Sequence, residues 1–378
     1  MKIAWVDRLR IAFGAAARPA FAGLAIVAAL VACTPVGGER YTRKQAEKSI
    51  GKLEKSGISV GEFRLTKVVD GDTVWVDGLD KSLRLLGIDA EETFKNEADR
   101  RAVETDWNGY LKAKRNGGKR PVKLATPLGE QAKAFGKVWF EGVGKVRVER
   151  DHPAEIRDRY DRFLAYVLAN KGGVWQNYNV ELVRAGLSPY FSKYGYSRRY
   201  HKDFVAALAE AKAAGRGIWA TGTMHAPDYP ERETWWFARG DFVDEFRKEG
   251  EGKSDYIDLT HWDTKKLLED HIGKEVHVLG TVDELIRDTK GPARVNLGGP
   301  KGGFPLIFFD RSLLTATGLA EWKGEYVIAT GIVNVYTNKN TKRSSLQIQI
   351  ERTSQIKLSS VPGLSLPTAE PAPAAANP

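Results

Sequence analysis

Over residues 62–76 apolar and polar positions alternate, the period of a half-buried strand, and Asp70-Gly71-Asp72 interrupts the run once. After the turn signal Asp77-Gly78, residues 83–88 predict the next strand. Residues 94–124 are rich in Lys, Arg, Glu and Asn with little periodicity, and read as a long surface insertion. Thr126-Pro127 opens a helix, the threonine as cap and the proline at the first helical position. Ala132, Phe135, Val138 and Trp139 give that helix an apolar face. Strands at 145–149 and 163–168 follow, then helices around 174–185 and 197–214, closed by Gly215-Arg216-Gly217-Ile218-Trp219. This succession predicts an α+β unit, mainly β with helices, over residues 61–220: an OB-like five-stranded barrel capped by helices.

Residues 221–262 carry Pro227, Pro230 and Trp235-Trp236-Phe237 among charges, and read as a linker whose aromatics staple two domains together. A second OB-like β-domain is expected over 263–358, with strands at 275–282, 293–297, 304–309, 325–335 and 346–351. A helical insertion falls near 311–322. The last stretch, 359–378, is rich in Pro, Ala and Ser, the composition of a disordered tail. Ahead of the first barrel, residues 33–60 are polar, with Ala46, Ile50 and Leu53 at helical spacing, as in a tether ending in a short amphipathic helix.

The first 32 residues read as a targeting segment. Lys2, Arg8, Arg10 and Arg18 precede an apolar run over 21–32, shorter than the roughly 20 residues a membrane span needs. The run closes with Leu30-Val31-Ala32-Cys33, which resembles the bacterial lipobox. That resemblance implies a signal peptide over 1–32, cleavage before Cys33, and a lipid on the cysteine. Thr34 follows, without the acidic residue that marks inner-membrane retention. An exported lipoprotein of the outer membrane is therefore expected; the alternatives are inner-membrane anchoring and secretion.

Composition narrows the chemistry. The net charge of +10 favours polyanionic partners, either nucleic acid or an anionic membrane surface. Cys33 is the sole cysteine, so an internal disulfide and a Cys-based zinc site are excluded. The histidines 152, 201, 225, 261, 271 and 277 are scattered, which disfavours a zinc hydrolase.

Two apolar-rich segments each deliver a carboxylate near an end: Asp72 where a strand restarts, and Asp89 after Leu83-Arg84-Leu85-Leu86-Gly87-Ile88. Asp70-Gly71-Asp72 alone could be a bulge or turn, with aspartate chosen for its tolerance of turn geometry. Arg84 lies between the two carboxylates, and Arg162 waits downstream in Asp158-Arg159-Tyr160-Asp161-Arg162. Carboxylates for a hard cation, with two guanidinium forks for phosphate oxygens, are what phosphodiester cleavage needs.

Together these motifs closely resemble the staphylococcal (micrococcal) nuclease, or thermonuclease, family. The likeness runs through Asp70 to Thr73, Arg84 to Asp89, Glu91-Glu92, Tyr160 to Tyr166, Val180-Glu181-Leu182-Val183-Arg184-Ala185-Gly186-Leu187 and the closing Gly-Ile-Trp. It implies that Asp72, Asp89 and the backbone carbonyl of Ala90 bind Ca²⁺. Glu92 would orient or deprotonate the attacking water, and Arg84 and Arg162 would hold the scissile phosphate. Arg159 and Tyr160 fall where family side chains touch a terminal phosphate, and Tyr194 where a tyrosine flanks the nucleotide. The implied reaction is hydrolysis of DNA or RNA that leaves 3′-phosphate ends. Glu91 stands where the family carries proline, a nearby charge that could tighten metal binding or compete with Glu92 for the water. A non-catalytic nucleic-acid-binding lipoprotein is the competing expectation. A C-terminal domain that binds protein or cell-wall polymer is a third.

Overall fold

Arg64 marks a bend that lets one strand serve two edges of a sheet. The computed structural model describes residues 57–118, 121–158, 160, 162–287, 291–298 and 303–364. Chain order is β1 (Ser59–Phe63), β2 (Leu65–Val68), β3 (Thr73–Val76), β4 (Leu83–Leu85), α1 (Glu97–Thr105), α2 (Trp107–Arg115) and α3 (Pro127–Trp139). Then come β5 (Val146–Glu149), β6 (Phe163–Lys171), β7 (Val174–Asn177), α4 (Tyr178–Arg184) and α5 (His201–Ala213). β1 pairs with β5 and β2 with β3, both antiparallel, so the two halves of the bent strand sit at opposite ends of the order β1-β5-β6-β4-β3-β2. Counted as one strand, they close a five-stranded OB barrel, in which the β4–β6 contact is parallel.

Three local expectations need correction. The stretch read as a surface insertion holds α1 and α2, capped by Asn96 and Asp106, whose side chains accept from the Asp99 and Gly109 N–H groups. Each helix buries one residue, Val103 in α1 and Tyr110 in α2, too few to print a visible period. The helix expected around 174–185 begins as a strand: Gly172 and Gly173, both at positive φ, turn the chain so that β7 pairs with β6, and Asn177 then caps α4. On α3, Ala132 and Trp139 are buried as expected, but Val138 is exposed, and Leu128 and Gly136 complete the face.

The remaining elements are α6 (Tyr229–Glu249), β8 (Tyr256–Asp258), α7 (Thr264–Asp270), β9 (Glu275–Ile286), β10 (Ala293–Gly298), β11 (Phe304–Phe308), α8 (Arg311–Ala316), β12 (Tyr326–Thr337), β13 (Ser344–Gln349) and β14 (Ile356–Leu358). The pairings β9–β10, β10–β11, β11–β13, β13–β12 and β12–β9 form a closed ring, with β11–β13 parallel. The second unit is thus another five-stranded barrel in the strand order of the first. β8 and β14 extend it, and β8 comes from the stretch read as linker.

That stretch is mostly α6, a 21-residue helix that packs on both barrels. Tyr229 and Trp236 enter the first core. Phe242, Val243 and Phe246 cluster with Leu279, Tyr326 and Ile328 of the second barrel. Trp235 touches both cores. Among the described residues, no helix is long and apolar enough to cross a membrane. Cys33, the expected tether up to residue 56 with its helix, and the last fourteen residues of the tail lie outside the described residues. The end of the stretch read as tether is already strand, β1 starting at Ser59.

Candidate active site

Two glycines bring the carboxylates together. A Cβ on Gly71 would stand 2.7 Å from the Cβ atoms of both Ala90 and Ala132, so only glycine lets this turn press against α3. The Tyr178 hydroxyl donates to the Gly71 carbonyl at 3.1 Å, and the Asp72 N–H donates to Asp70 Oδ1 at 3.1 Å. Asp72 is thereby delivered, buried, to the start of β3. Gly87, at φ 73°, backs onto the Phe204 ring, 2.6 Å from where a Cβ would lie. Its turn ends β4 and returns the chain so that Asp89 meets Arg84.

Arg84 bridges both carboxylates. It pairs with Asp72 Oδ1 and, at 2.6 Å, with Asp89 Oδ1, and it also donates to the Ile88 carbonyl at 3.3 Å. Burial opposes its charge, but the two aspartates more than offset this and raise its pKa further. Burial would likewise raise Asp89, yet Lys123 and Arg84 hold it down at about 2. Lys123 Nζ lies 2.8 Å from Asp89 Oδ1 and 3.3 Å from Glu92 Oε1, and Lys95 reaches Glu92 at 3.6 Å. Asp70 is pushed up to about 6, first by burial and then by the charge of Asp72.

Arg162 precedes β6, whose Leu164 is the register partner of Arg84. Its guanidinium is aimed by Asp158: Nε donates to Oδ2 at 2.8 Å and Nη2 lies 2.6 Å from the same oxygen. Asp158 also accepts the Arg162 N–H at 3.0 Å and the Tyr160 N–H at 2.9 Å. Tyr160 and Tyr194 are 63% and 57% exposed. Arg84, Asp89, Arg162, Tyr160 and Tyr194 all line one cavity of about 480 Å³. Ala90 is buried beside Asp89; Arg159 lies outside the described residues, as does Asp161.

The donors Asp72, Asp89, the Ala90 carbonyl and Glu92 are all oxygen, the set that suits a hard dication. The repulsion between Asp70 and Asp72, the second cause of the raised Asp70 carboxyl after burial, is one that such a cation would relieve. Glu91 takes no part. It is buried, its carboxylate accepting from the Thr126 hydroxyl, from Ala226 N–H at 2.7 Å and from the Tyr229 hydroxyl at 3.0 Å. The expected rivalry with Glu92 is therefore corrected: the side chain points into the scaffold, where burial raises its pKa.

Among the described residues, His152, Glu155 and His261 also stand close enough to share an ion. Their geometry argues against it. The two rings are stacked at 4.7 Å with planes 13° apart, so their in-plane lone pairs run side by side and do not converge. Glu155 is already paired with Arg247 at 3.0 Å and Arg198 at 3.5 Å.

Lys123, Asp158 and Lys193 were missed as site residues. Asp158 had a signal, four residues before Arg162. Lys123 and Lys193 had none, one among many lysines of a polar stretch and the other in a loop.

A family model described as staphylococcal nuclease homologue matches residues 82–221. An uncharacterized protein of Methanocaldococcus jannaschii is 32% identical over 167 residues, 41% of this chain and 70% of its own. Thermonuclease from Staphylococcus hyicus is 28% identical over 175 residues, 45% of this chain and 84% of its own. Thermonuclease from Staphylococcus intermedius is 30% identical over 173 residues, 45% and 83% of the two chains.

Proposed function

The chain belongs to the staphylococcal nuclease family, and from that premise we propose that it is a Ca²⁺-dependent phosphodiesterase cutting DNA or RNA with little sequence specificity. The observation that carries this reading is Arg84 held between Asp72 and Asp89, on the same cavity as Arg162. A binding surface needs cations for phosphate; it has no use for carboxylates beside them.

Asp72, Asp89 and the Ala90 carbonyl would hold the Ca²⁺, which when bound supplies positive charge to a phosphate oxygen. Arg84 and Arg162 donate to the remaining oxygens and oppose the charge that grows on them in the transition state. Glu92 accepts a proton from water as the water oxygen bonds to phosphorus. The bond from phosphorus to the 5′ oxygen breaks, that oxygen takes up a proton, and a 3′-phosphate end remains. Asp158 holds Arg162 in the needed orientation. Arg159 and Tyr160 meet a neighbouring phosphate, and Tyr194 flanks the nucleotide.

The Leu30-Val31-Ala32-Cys33 signal supports a lipid on Cys33 and an outer-membrane location. Incorporation of labelled palmitate that vanishes in Cys33→Ala tests the anchor. For the chemistry, residues 34–378 are assayed on single-stranded DNA and RNA in calcium and in EDTA, beside Glu92→Gln. Calcium-dependent cleavage that collapses in the variant is expected; strands bound but never cut would overturn the proposal.

A further inference from the structure

The cavity does not stop at the catalytic end. It runs from Arg84 and Arg162 past Lys193 and Tyr194 to Thr281, Asp283 and Tyr326 on the second barrel. Lys193 stands in it with aromatic neighbours: its Nζ is 5.2 Å from the Trp235 ring centroid and 5.9 Å from that of Tyr194. Among the described residues no carboxylate lies within ion-pair distance of it. Burial, and next the charge of Arg239, bring its pKa down to about 8, against the weaker opposing pull of Asp89 and Glu325.

Its position is built, not incidental. The Lys193 carbonyl accepts from Arg239 Nε at 2.9 Å, and Arg239 Nη1 donates to the Gly324 carbonyl at 3.0 Å and pairs with Glu325. The loop that carries Lys193 is thus pinned, through α6, to the edge of the second barrel. We infer that Lys193 binds a second backbone phosphate of the same single strand, one that runs from the cutting site into the cleft between the barrels. This rests on the proposed function for the identity of the strand.

The surroundings fit that ligand. The cavity of about 480 Å³ lies within the roughly 300–1,000 Å³ that holds small ligands, room for about one nucleotide unit. The exposed Tyr194 offers a stacking face beside the cation, the pairing that tracks single strands without reading sequence. On the far wall Thr281 and Asp283 suit base edges and sugar, which leaves the phosphate to Lys193.

The test is fluorescence anisotropy of a labelled eight-nucleotide DNA strand with the full chain in EDTA, over a salt series. Wild type, Lys193→Met and Lys193→Arg are compared, with Lys193→Gln as a second neutral variant if Lys193→Met melts early. The neutral variants should bind the octamer about tenfold more weakly, the size of one charge-assisted contact, while Lys193→Arg restores affinity. The salt dependence should lose about 0.7 from its slope, one single-strand phosphate contact. A dinucleotide should lose less than the octamer. Equal affinity and equal slope for wild type and neutral variants would overturn the inference, as would a wild type that binds no strand. Calcium-dependent cleavage, measured in parallel, separates the two readings. Normal cutting with no Lys193 effect sinks the subsite alone, whereas a Lys193 effect without cutting sinks the catalytic reading alone.

Discussion

Arg239 and Glu325 pair their charges with no solvent contact on either side chain, one on the helix that spans both barrels and the other at the entry to β12. Trp235 Nε1 donates to the same carboxylate at 3.1 Å. A buried charge left without its partner is costly. Arg239→Met should therefore lower the free energy of unfolding by about 3–5 kcal/mol, read from urea titration. Removing the remaining charge as well, in Arg239→Met/Glu325→Gln, should recover part of that loss.

Glu91 is expected to matter for stability and little for chemistry. Glu91→Gln keeps the shape of a side chain held by Thr126, Ala226 and Tyr229, and turnover should stay within a few-fold of wild type. Glu92→Gln, by contrast, should lose about 10²–10⁴-fold in kcat. The pH trend follows from the raised pKa of Glu91: the folded state holds its proton more tightly than the unfolded chain. Stability relative to Glu91→Gln should then fall as pH rises from the ordinary 4.5 through the raised value, in thermal melts across that window.

Arg162→Ala should lose about 10³–10⁵-fold in kcat, the scale of an arginine at a transferring phosphoryl group. Asp158→Asn keeps the arginine but loosens its aim, so a smaller loss is expected, about tenfold to a hundredfold. Equal losses in the two variants would show that Asp158 does more than orient.

Lys123 competes with any cation for Asp89 and Glu92. Lys123→Met should bind Ca²⁺ more tightly than wild type by calorimetry, and weaker binding would refute the competition. In wild type, saturating Ca²⁺ at about a hundred times its Kd should add about 2.7 kcal/mol of stability, and EDTA should remove it. Asp70 sets the acid limit: with its carboxyl at about 6, Ca²⁺ affinity should weaken as pH falls below that value.

The catalytic end was legible because its spacing is local. Asp72 directly precedes β3, Arg84 lies on the neighbouring β4 and Asp89 follows it across one turn, so local pairing and two glycine turns bring them together. Lys123 and Lys193 arrive from loops whose course depends on tertiary packing, and nothing local distinguishes them from other lysines. The long helix α6 was hidden for a related reason. It buries Tyr229, Trp236, Phe242 and Phe246 against two bodies, so its apolar residues follow no single stripe. β7 was lost because its four residues run straight into the apolar period of α4.

The network around Glu91 has a bearing on where such a chain can be cut. Two of its three partners, Ala226 and Tyr229, lie beyond residue 221, where the family match ends, yet they brace the loop that carries Asp89 and Glu92. Part of the bracing of this turn thus comes from outside the matched segment. A truncation at residue 221 would leave the buried Glu91 carboxylate with the Thr126 hydroxyl but without Ala226 and Tyr229. The support beneath the first barrel's site therefore extends at least to Tyr229, past the end of the matched segment.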